Sequence, residues 1–174
     1  MEKNRGFIQV YTGNGKGKTT AAIGLAVRAV GAKKKVFIAQ FVKGMVYSEI
    51  EVLRQLTPAI KVNLYGKDCF ISREPSEEDI QAAKNGLKEV SEIIHSEQYD
   101  VIILDEATIA VNFNLFSIDD LIAVLRQKPI QTEIIITGRY APPELLELAD
   151  LVTDMTEVKH YYTSGVLSRK GIEF

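Results

Sequence analysis

The sequence predicts an α/β fold in one domain, a mostly parallel sheet with helices on both faces. Three observations predict it. Short β-branched runs alternate with helix-period patterns along the chain, the order that parallel βαβ units require. Two of those runs, "VIIL" at 101–104 and "IIIT" at 134–137, are continuously apolar, as strands covered on both faces must be. The 174 residues carry no linker, repeat or low-complexity tract, and a single domain commonly holds roughly 100–200 residues, so residues 1–174 are read as one domain.

Strands are expected over Gly6–Tyr11, Val36–Phe41, Ile60–Tyr65, Val101–Leu104, Glu133–Thr137 and Leu151–Thr153. A helix rich in Ala, Ile, Leu and Val runs over Thr19–Val30 and stops at Gly31, expected as its C-terminal cap. Lys33, Lys34 and Lys35 follow that stop as solvated surface. Ser76 with Glu77, Glu78 and Asp79 marks a helix start with acids in its first turn. Ile80, Ala83, Leu87, Val90 and Ile94 then share one face of a long helix. Ser117 with Asp119 and Asp120 opens another, which ends near Pro129, and Pro142 and Pro143 begin the last.

Composition narrows the partners. Hydrophobic residues make up 46% and charged residues 25% of the chain, which supplies a full core. A net charge of −2 gives no general attraction to nucleic acid or to an anionic membrane, so any anion site is local. Neither is expected as a partner. The single cysteine, Cys69, excludes an intramolecular disulfide and a cysteine-based zinc cluster. Apolar runs fall far short of the roughly 20 residues of a membrane span, and no signal-peptide pattern opens the chain. A cytoplasmic protein is expected.

One segment cannot serve a helix or a strand interior. "VYTGNGKGKTTAA", residues 10–22, stands between a strand and a helix, the setting of a phosphate-binding loop. Its glycines let the backbone curl so that successive N–H groups point at one anion, and the helix start adds partial positive charge. Thr12, Gly13, Asn14, Gly15, Lys16, Gly17, Lys18, Thr19 and Thr20 are therefore the candidate nucleotide-binding residues. Lys18 neutralises phosphate oxygens and the Thr19 hydroxyl coordinates Mg²⁺. Thr12 stands where the strict motif has its first glycine. The fold expectation sharpens to a phosphate-loop NTPase-like domain.

"VIILDE" at 101–106 ends an apolar strand in two acids. A carboxylate there sits at the crevice beyond the carboxyl ends of parallel strands, so Asp105 or Glu106 reaches the metal, directly or through water. Arg139, in "TGR" at a strand end, either meets the ligand or forms a salt bridge. Arg28 either turns toward the nucleotide or caps its helix. Lys43, in "FVKG", lies on the candidate rim. His160, in "VKHYY", is a candidate ligand contact, whereas His95 is read as a helix-end residue. No serine–histidine–acid arrangement can be assigned from the sequence.

Taken in order, "VYTGNGKGKTTAA", "GLAVRAVG", "QFVKG", "ILDE", "TGRYAPPELLELADLVTDM", "VKHYY" and the terminal "GIEF" resemble the phosphate-loop ATP:cob(I)alamin (corrinoid) adenosyltransferases over almost the whole chain. The resemblance implies transfer of the 5′-deoxyadenosyl group of ATP to Co(I) of a corrinoid, with release of triphosphate. The corrinoid is cobalamin or a precursor such as cobyrinic acid a,c-diamide or cobinamide. ATP and Mg²⁺ are the implied cosubstrate and metal, a reductase the implied electron source, and a homodimer the expected assembly. ATP would lie reversed, with C5′ turned toward cobalt. Because Co(I) is itself a strong nucleophile, no general base is needed. Lys18 and Glu106 are then the expected catalytic residues, Glu106 acting with Thr19 and Asp105 at the metal. Phe70, Lys43 and His160 are the expected corrinoid contacts. Phe70 is the one aromatic in "GKDCFI" at 66–71, where relatives carry several aromatics; it either covers the corrinoid or packs beneath its own loop. The other readings the residues allow are a phosphate-loop kinase or ATPase and a non-catalytic nucleotide-binding module.

Overall fold

The computed structural model describes residues 5–42, 48–66 and 74–173. Six strands form one sheet: β1 (Ile8–Thr12), β2 (Val36–Phe41), β3 (Ile60–Tyr65), β4 (Val101–Asp105), β5 (Glu133–Thr137) and β6 (Leu151–Asp154). Their order is β3-β2-β4-β5-β1-β6, and every pairing is parallel. The sheet of the described residues is thus wholly parallel, where the sequence led us to expect a mostly parallel one. β1 begins and ends slightly later than the sequence suggested, and β4 and β6 each include the acid next to their apolar run.

Alternate residues of the central strands point to opposite faces, and each face has its own helices. Val36, Ile38, Ile103 and Ile135 meet Ala22, Ala26 and Ala29 of α1 (Lys18–Gly31) and Ile50 and Leu53 of α2 (Ser48–Leu56). Phe37, Ala39, Phe41, Ile102, Leu104, Ile134 and Ile136 meet the other face's helices. These are α3 (Glu77–Ser96), α4 (Ala107–Asn112), α5 (Ile118–Leu125) and α6 (Pro143–Leu148). Small alanines on α1 let that helix lie close to the sheet, which brings its first turn to the end of β1.

The predicted helix starts have a clear physical basis. Ser76 and Ser117 each accept from the backbone N–H three residues on, and Asp79 and Asp120 reach back to the cap's own N–H. Both are reciprocal capping boxes. The expected glycine stop of α1 is corrected. Gly31 is the last helical residue, Ala32 is the cap, and Lys33 takes the left-handed conformation with φ 63°. Two helices were not anticipated. α2 hides Ile50 and Leu53 among charged neighbours, and α4 is only six residues long. Among the described residues, no helix is long and apolar enough to cross a membrane.

β6 and the segment after it differ from the rest. All four residues of β6 are exposed, and none of residues 155–173 is buried. This last segment carries the short 3₁₀ turn Tyr161–Ser164 and returns its end to the loop after β1.

Candidate active site

The loop between β1 and α1 is shaped by what presses on it. Gly13 and Gly17 have φ values of 94° and 117°, the region that side-chain-bearing residues avoid. Gly15 is tied by its N–H to the Met155 carbonyl at 2.6 Å, and a Cβ there would stand 2.5 Å from that same oxygen. The glycine spacing therefore answers two demands, a curled backbone and the close passage of the chain leaving β6.

Lys18, buried at the first position of α1, donates to the carbonyls of Gly13 at 2.8 Å and Gly15 at 2.7 Å. Its ammonium thus spans the mouth of the loop. Burial, then the neighbouring Arg139 charge, lowers the Lys18 pKa, while Glu106, Asp105 and Asp154 draw it back up.

The next residue connects loop and sheet. Thr19 Oγ1 donates to Asp105 Oδ1 at 2.7 Å. Asp105 ends β4, and β5 lies between β4 and β1, so this contact spans the carboxyl edge of the sheet. Thr137, at the end of β5, donates its hydroxyl to the same Oδ1 at 2.6 Å. Gln40, at the end of β2, donates its amide to Oδ2 at 2.9 Å. Asp105 is 1% exposed; the hydrogen bonds compensate the cost of burying its carboxylate. Gln40 Oε1 is buried with no hydrogen-bond partner among the described residues. Glu106 comes next with φ 58°, its N–H given to Thr137 Oγ1 at 3.0 Å. This left-handed residue turns the chain from β4 into α4 and brings Glu106 to the cleft wall.

A cleft of about 520 Å³ opens over this edge. Gly15 to Thr20, Glu106 and Arg139 supply its polar wall; Ile109 and Phe113, four residues apart at α4 and its cap, supply an apolar one. Arg139 is placed by its backbone, whose carbonyl accepts the Thr108 hydroxyl at 2.7 Å. Gly138 precedes it with φ 137°, and a side chain there would collide with that hydroxyl. His160 lines the cleft as well; its Nδ1 accepts the Tyr162 N–H at 3.0 Å, so the neutral ring carries its proton on Nε2.

The structure thus brings together Gly15, Lys16, Gly17, Lys18, Thr19, Thr20, Glu106, Arg139 and His160, with Asp105 behind them. Thr12, Gly13 and Asn14 lead into the loop but are not on the cleft wall among the described residues. Arg28 is the exception. It is exposed in the last turn of α1, beside Tyr11, whose pKa its charge lowers against the stronger upward effects of burial and Glu133. The structure does not bring Arg28 to the cleft, because nine residues of helix, roughly 13 Å of rise, separate it from Thr19. Lys43 and Phe70 lie outside the described residues. The sequence reading missed Gln40, Thr137, Ile109, Phe113 and Glu173. Ile109 and Phe113 carried a signal, the four-residue spacing directly after the acid pair; Thr137 and Gln40 carried only their positions as the last polar residues of apolar strands.

Comparison with known proteins agrees with this arrangement. The family model described as ATP:corrinoid adenosyltransferase BtuR/CobO/CobP matches residues 4–174. The chain is 32% identical to a corrinoid adenosyltransferase of Pseudomonas aeruginosa over 98% of its own length and 84% of the relative's. It is 35% identical to one of Escherichia coli, with 99% and 88% covered. The Salmonella typhimurium relative is 34% identical at the same coverage. Among solved structures, the flagellar accessory protein FlaH of Methanocaldococcus jannaschii is similar with a TM-score of 0.59 over 87% of this chain and 71% of that one. At 18% identity, that likeness concerns the fold. The whole-chain match and the relatives' identities, carried by a chain whose loop, Glu106 and Arg139 share one cleft, show that it belongs to the ATP:corrinoid adenosyltransferase family.

Proposed function

We propose that this cleft holds ATP by its triphosphate and presents C5′ to the Co(I) of a corrinoid, the whole chain of residues 1–174 acting as one adenosyltransferase domain. The single observation that carries the reading is the Thr19–Asp105 contact at 2.7 Å, which joins the phosphate loop to the acid pair across the sheet edge. In the transfer, cobalt's electron pair forms the Co–C5′ bond, the C5′–O bond breaks, and triphosphate leaves with that oxygen. Cobalt goes formally from Co(I) to Co(III), so electrons balance without a base. Lys18 and the loop amides offset the charge that gathers on the departing triphosphate. Arg139 adds a second cation on the same polar wall. Ile109 and Phe113 keep the adjoining space apolar and exclude water around the reacting carbon.

A divalent cation fits the donor set. The chain offers one hydroxyl, Thr19, and two carboxylates, Asp105 and Glu106; no cluster of three or more His, Cys, Asp or Glu able to hold a metal exists among the described residues. Mg²⁺ characteristically takes one or two carboxylates and completes its octahedron with phosphate oxygens and water. When bound, it supplies charge neutralisation on the triphosphate. Thr19, Glu106 and Asp105 would hold it.

The corrinoid we propose is cobalamin or one of its biosynthetic precursors, kept at Co(I) by a separate reductase in the cytoplasm. A homodimer is supported by the exposed edge strand β6, where Leu151 and Val152 are 44% and 45% exposed; unpaired edges of this kind are normally covered. Sedimentation tests that point.

The deciding experiment mixes the protein with ATP, Mg²⁺ and chemically reduced cobalamin, then tracks the corrinoid spectrum and the phosphate product. The reading expects a cobalt–carbon spectrum and inorganic triphosphate in equal amounts. ADP as product would favour a kinase or ATPase, and binding without product a nucleotide-binding module.

A further inference from the structure

The phosphate loop has two lysines, and the mechanism above uses only Lys18. Lys16 lies between Gly15 and Gly17, exposed and on the same cleft wall. Its Nζ is held by Glu173 Oε1 at 2.8 Å and by the Tyr161 hydroxyl at 3.2 Å. The partner residues come from the last segment of the chain, 145 and 157 positions away.

Glu173 is unusually well supplied with donors for a surface carboxylate. Besides Lys16, Oε1 accepts from the Tyr161 hydroxyl and, at 3.4 Å, from the Arg169 guanidinium. Oε2 accepts the Arg169 backbone N–H at 2.7 Å and its Nε at 3.4 Å. Arg169 lies 5.0 Å and Lys16 5.9 Å from the centre of the Tyr161 ring. These contacts, Lys16 first, hold the Glu173 carboxyl well below its usual pKa. Glu173 and the neighbouring Ile172 line the cleft themselves. The segment that carries them buries no side chain, so its attachment depends strongly on this polar knot.

A carboxylate and a phosphate make the same demand on a lysine, an oxygen anion within about 2.7–2.9 Å of its nitrogen. We propose that Glu173 is an internal competitor of the triphosphate for Lys16. In the closed arrangement the ammonium belongs to Glu173. When a triphosphate enters the loop, Lys16 turns to its oxygens and the carboxylate gives way. After transfer, the free triphosphate carries one more negative oxygen than the esterified chain, and it would be held tightly by two lysines and the loop amides. Recapture of Lys16 by Glu173 removes one of those cations and places a negative charge beside the product, so release is faster. The inference rests on the proposed triphosphate product.

The test is binding of inorganic triphosphate with Mg²⁺, by calorimetry, together with its inhibition constant against ATP. An exposed ion pair sets the scale, so Glu173→Gln should bind triphosphate about two- to fivefold more tightly and show correspondingly stronger product inhibition. Lys16→Met should bind it more weakly, and adding Glu173→Gln to Lys16→Met should bring no gain. Tyr161→Phe loosens the same knot but leaves the Glu173 charge in place, and should bring a smaller gain than Glu173→Gln. Unchanged or weaker binding by Glu173→Gln would overturn the proposal, since Glu173 would then be a strut that positions Lys16. A gain that persists without Lys16, or that Tyr161→Phe reproduces in full, would overturn it too. The wild-type transfer assay separates the two levels: transfer with no gain in Glu173→Gln defeats this inference alone, and absence of transfer defeats the functional reading.

Discussion

Asp105→Asn isolates what the buried carboxylate does. The substitution keeps shape and removes a charge. In the native site Oδ1 accepts the Thr19 and Thr137 hydroxyls and Oδ2 accepts the Gln40 amide. An asparagine can keep its oxygen toward the two hydroxyls, which sets its NH₂ against the Gln40 NH₂. Gln40 has a remedy, because its Oε1 is buried without a partner among the described residues. Rotating that amide by half a turn restores a hydrogen bond and moves the orphan from an oxygen to a nitrogen. The cost is therefore the weakening of two hydroxyl bonds from charge-assisted to neutral, about 1 kcal/mol each. Relief of the buried charge offsets part of it. We expect a loss of about 1–2 kcal/mol, or roughly 2–8 °C in melting temperature for a chain of this size. Asp105→Ala has no such remedy. It leaves the Thr137 and Gln40 donors buried and unpaired at about 1–3 kcal/mol each, so it should melt clearly lower than the asparagine variant. The effect on the cation runs separately. A unit charge pair at 4 Å is worth about 4 kcal/mol at an effective dielectric of 20; a third of that after screening is about tenfold in binding. Titrating Mg²⁺ into the ATP complex of Asp105→Asn should show at least that rise in the half-saturating concentration. If Asp105→Asn melts no higher than Asp105→Ala, the amide rotation is refuted. An unchanged Mg²⁺ requirement would remove Asp105 from the cation's surroundings.

Other outcomes rest on the same geometry. Lys18→Ala should stay folded and weaken ATP binding about ten- to a hundredfold, the value of one charge-assisted bond of roughly 1.5–3 kcal/mol; near-normal turnover would deny Lys18 its role. Gly15→Ala places a Cβ 2.5 Å from the Met155 carbonyl, so it should cost about 1–3 kcal/mol as overpacking does and weaken ATP binding through a displaced loop. A melt and an ATP titration check both effects. The attachment of the last segment should resist acid. The Glu173 carboxyl is depressed from its ordinary value of 4.5, chiefly by Lys16 and then by Tyr161 and Arg169. A depressed folded-state value means the contribution is complete above 4.5 and is lost only as pH falls through the lower, folded value. Pepsin should therefore cut residues 156–173 slowly near pH 4.5 and faster only at lower pH, whereas Glu173→Gln should be cut readily throughout.

Much of this architecture was legible because it rests on local rules. A mostly parallel sheet is implied by strands that alternate with helices and by apolar runs that have no polar face to give to water, and the starts of α3 and α5 by serines whose acids lie three residues on. The loop was equally plain, since glycines alternating with lysines between a strand and a helix have few other uses. α2 and α4 were missed for opposite reasons. α2 exposes most of its surface, which dilutes the period of Ile50 and Leu53, and α4 is too short for a period to register. The stop of α1 shows a limit of a different kind. Gly31 has the right freedom, but the backbone turned at Lys33, two residues later.

What the sequence by itself determined is the chemistry available: a loop with the glycine and lysine spacing of a phosphate cradle, two acids at the end of an apolar strand, an arginine at another, and the family to which those motifs point. What only the tertiary structure decided is which of these meet. Arg28 and Arg139 are equal as letters, yet the rise of α1 carries one away from the cleft, while the turn after β5 sets the other on the cleft wall near Lys18. Asp105 and Thr19 are 86 positions apart, and Lys16 and Glu173 are 157 apart. No local rule relates residues at such separations. They are neighbours because the strand order sets β5 between β1 and β4, and because the chain leaving β6 passes over the loop. Contacts of that kind depend on how the whole sheet is ordered, and that order is settled by burying both faces at once.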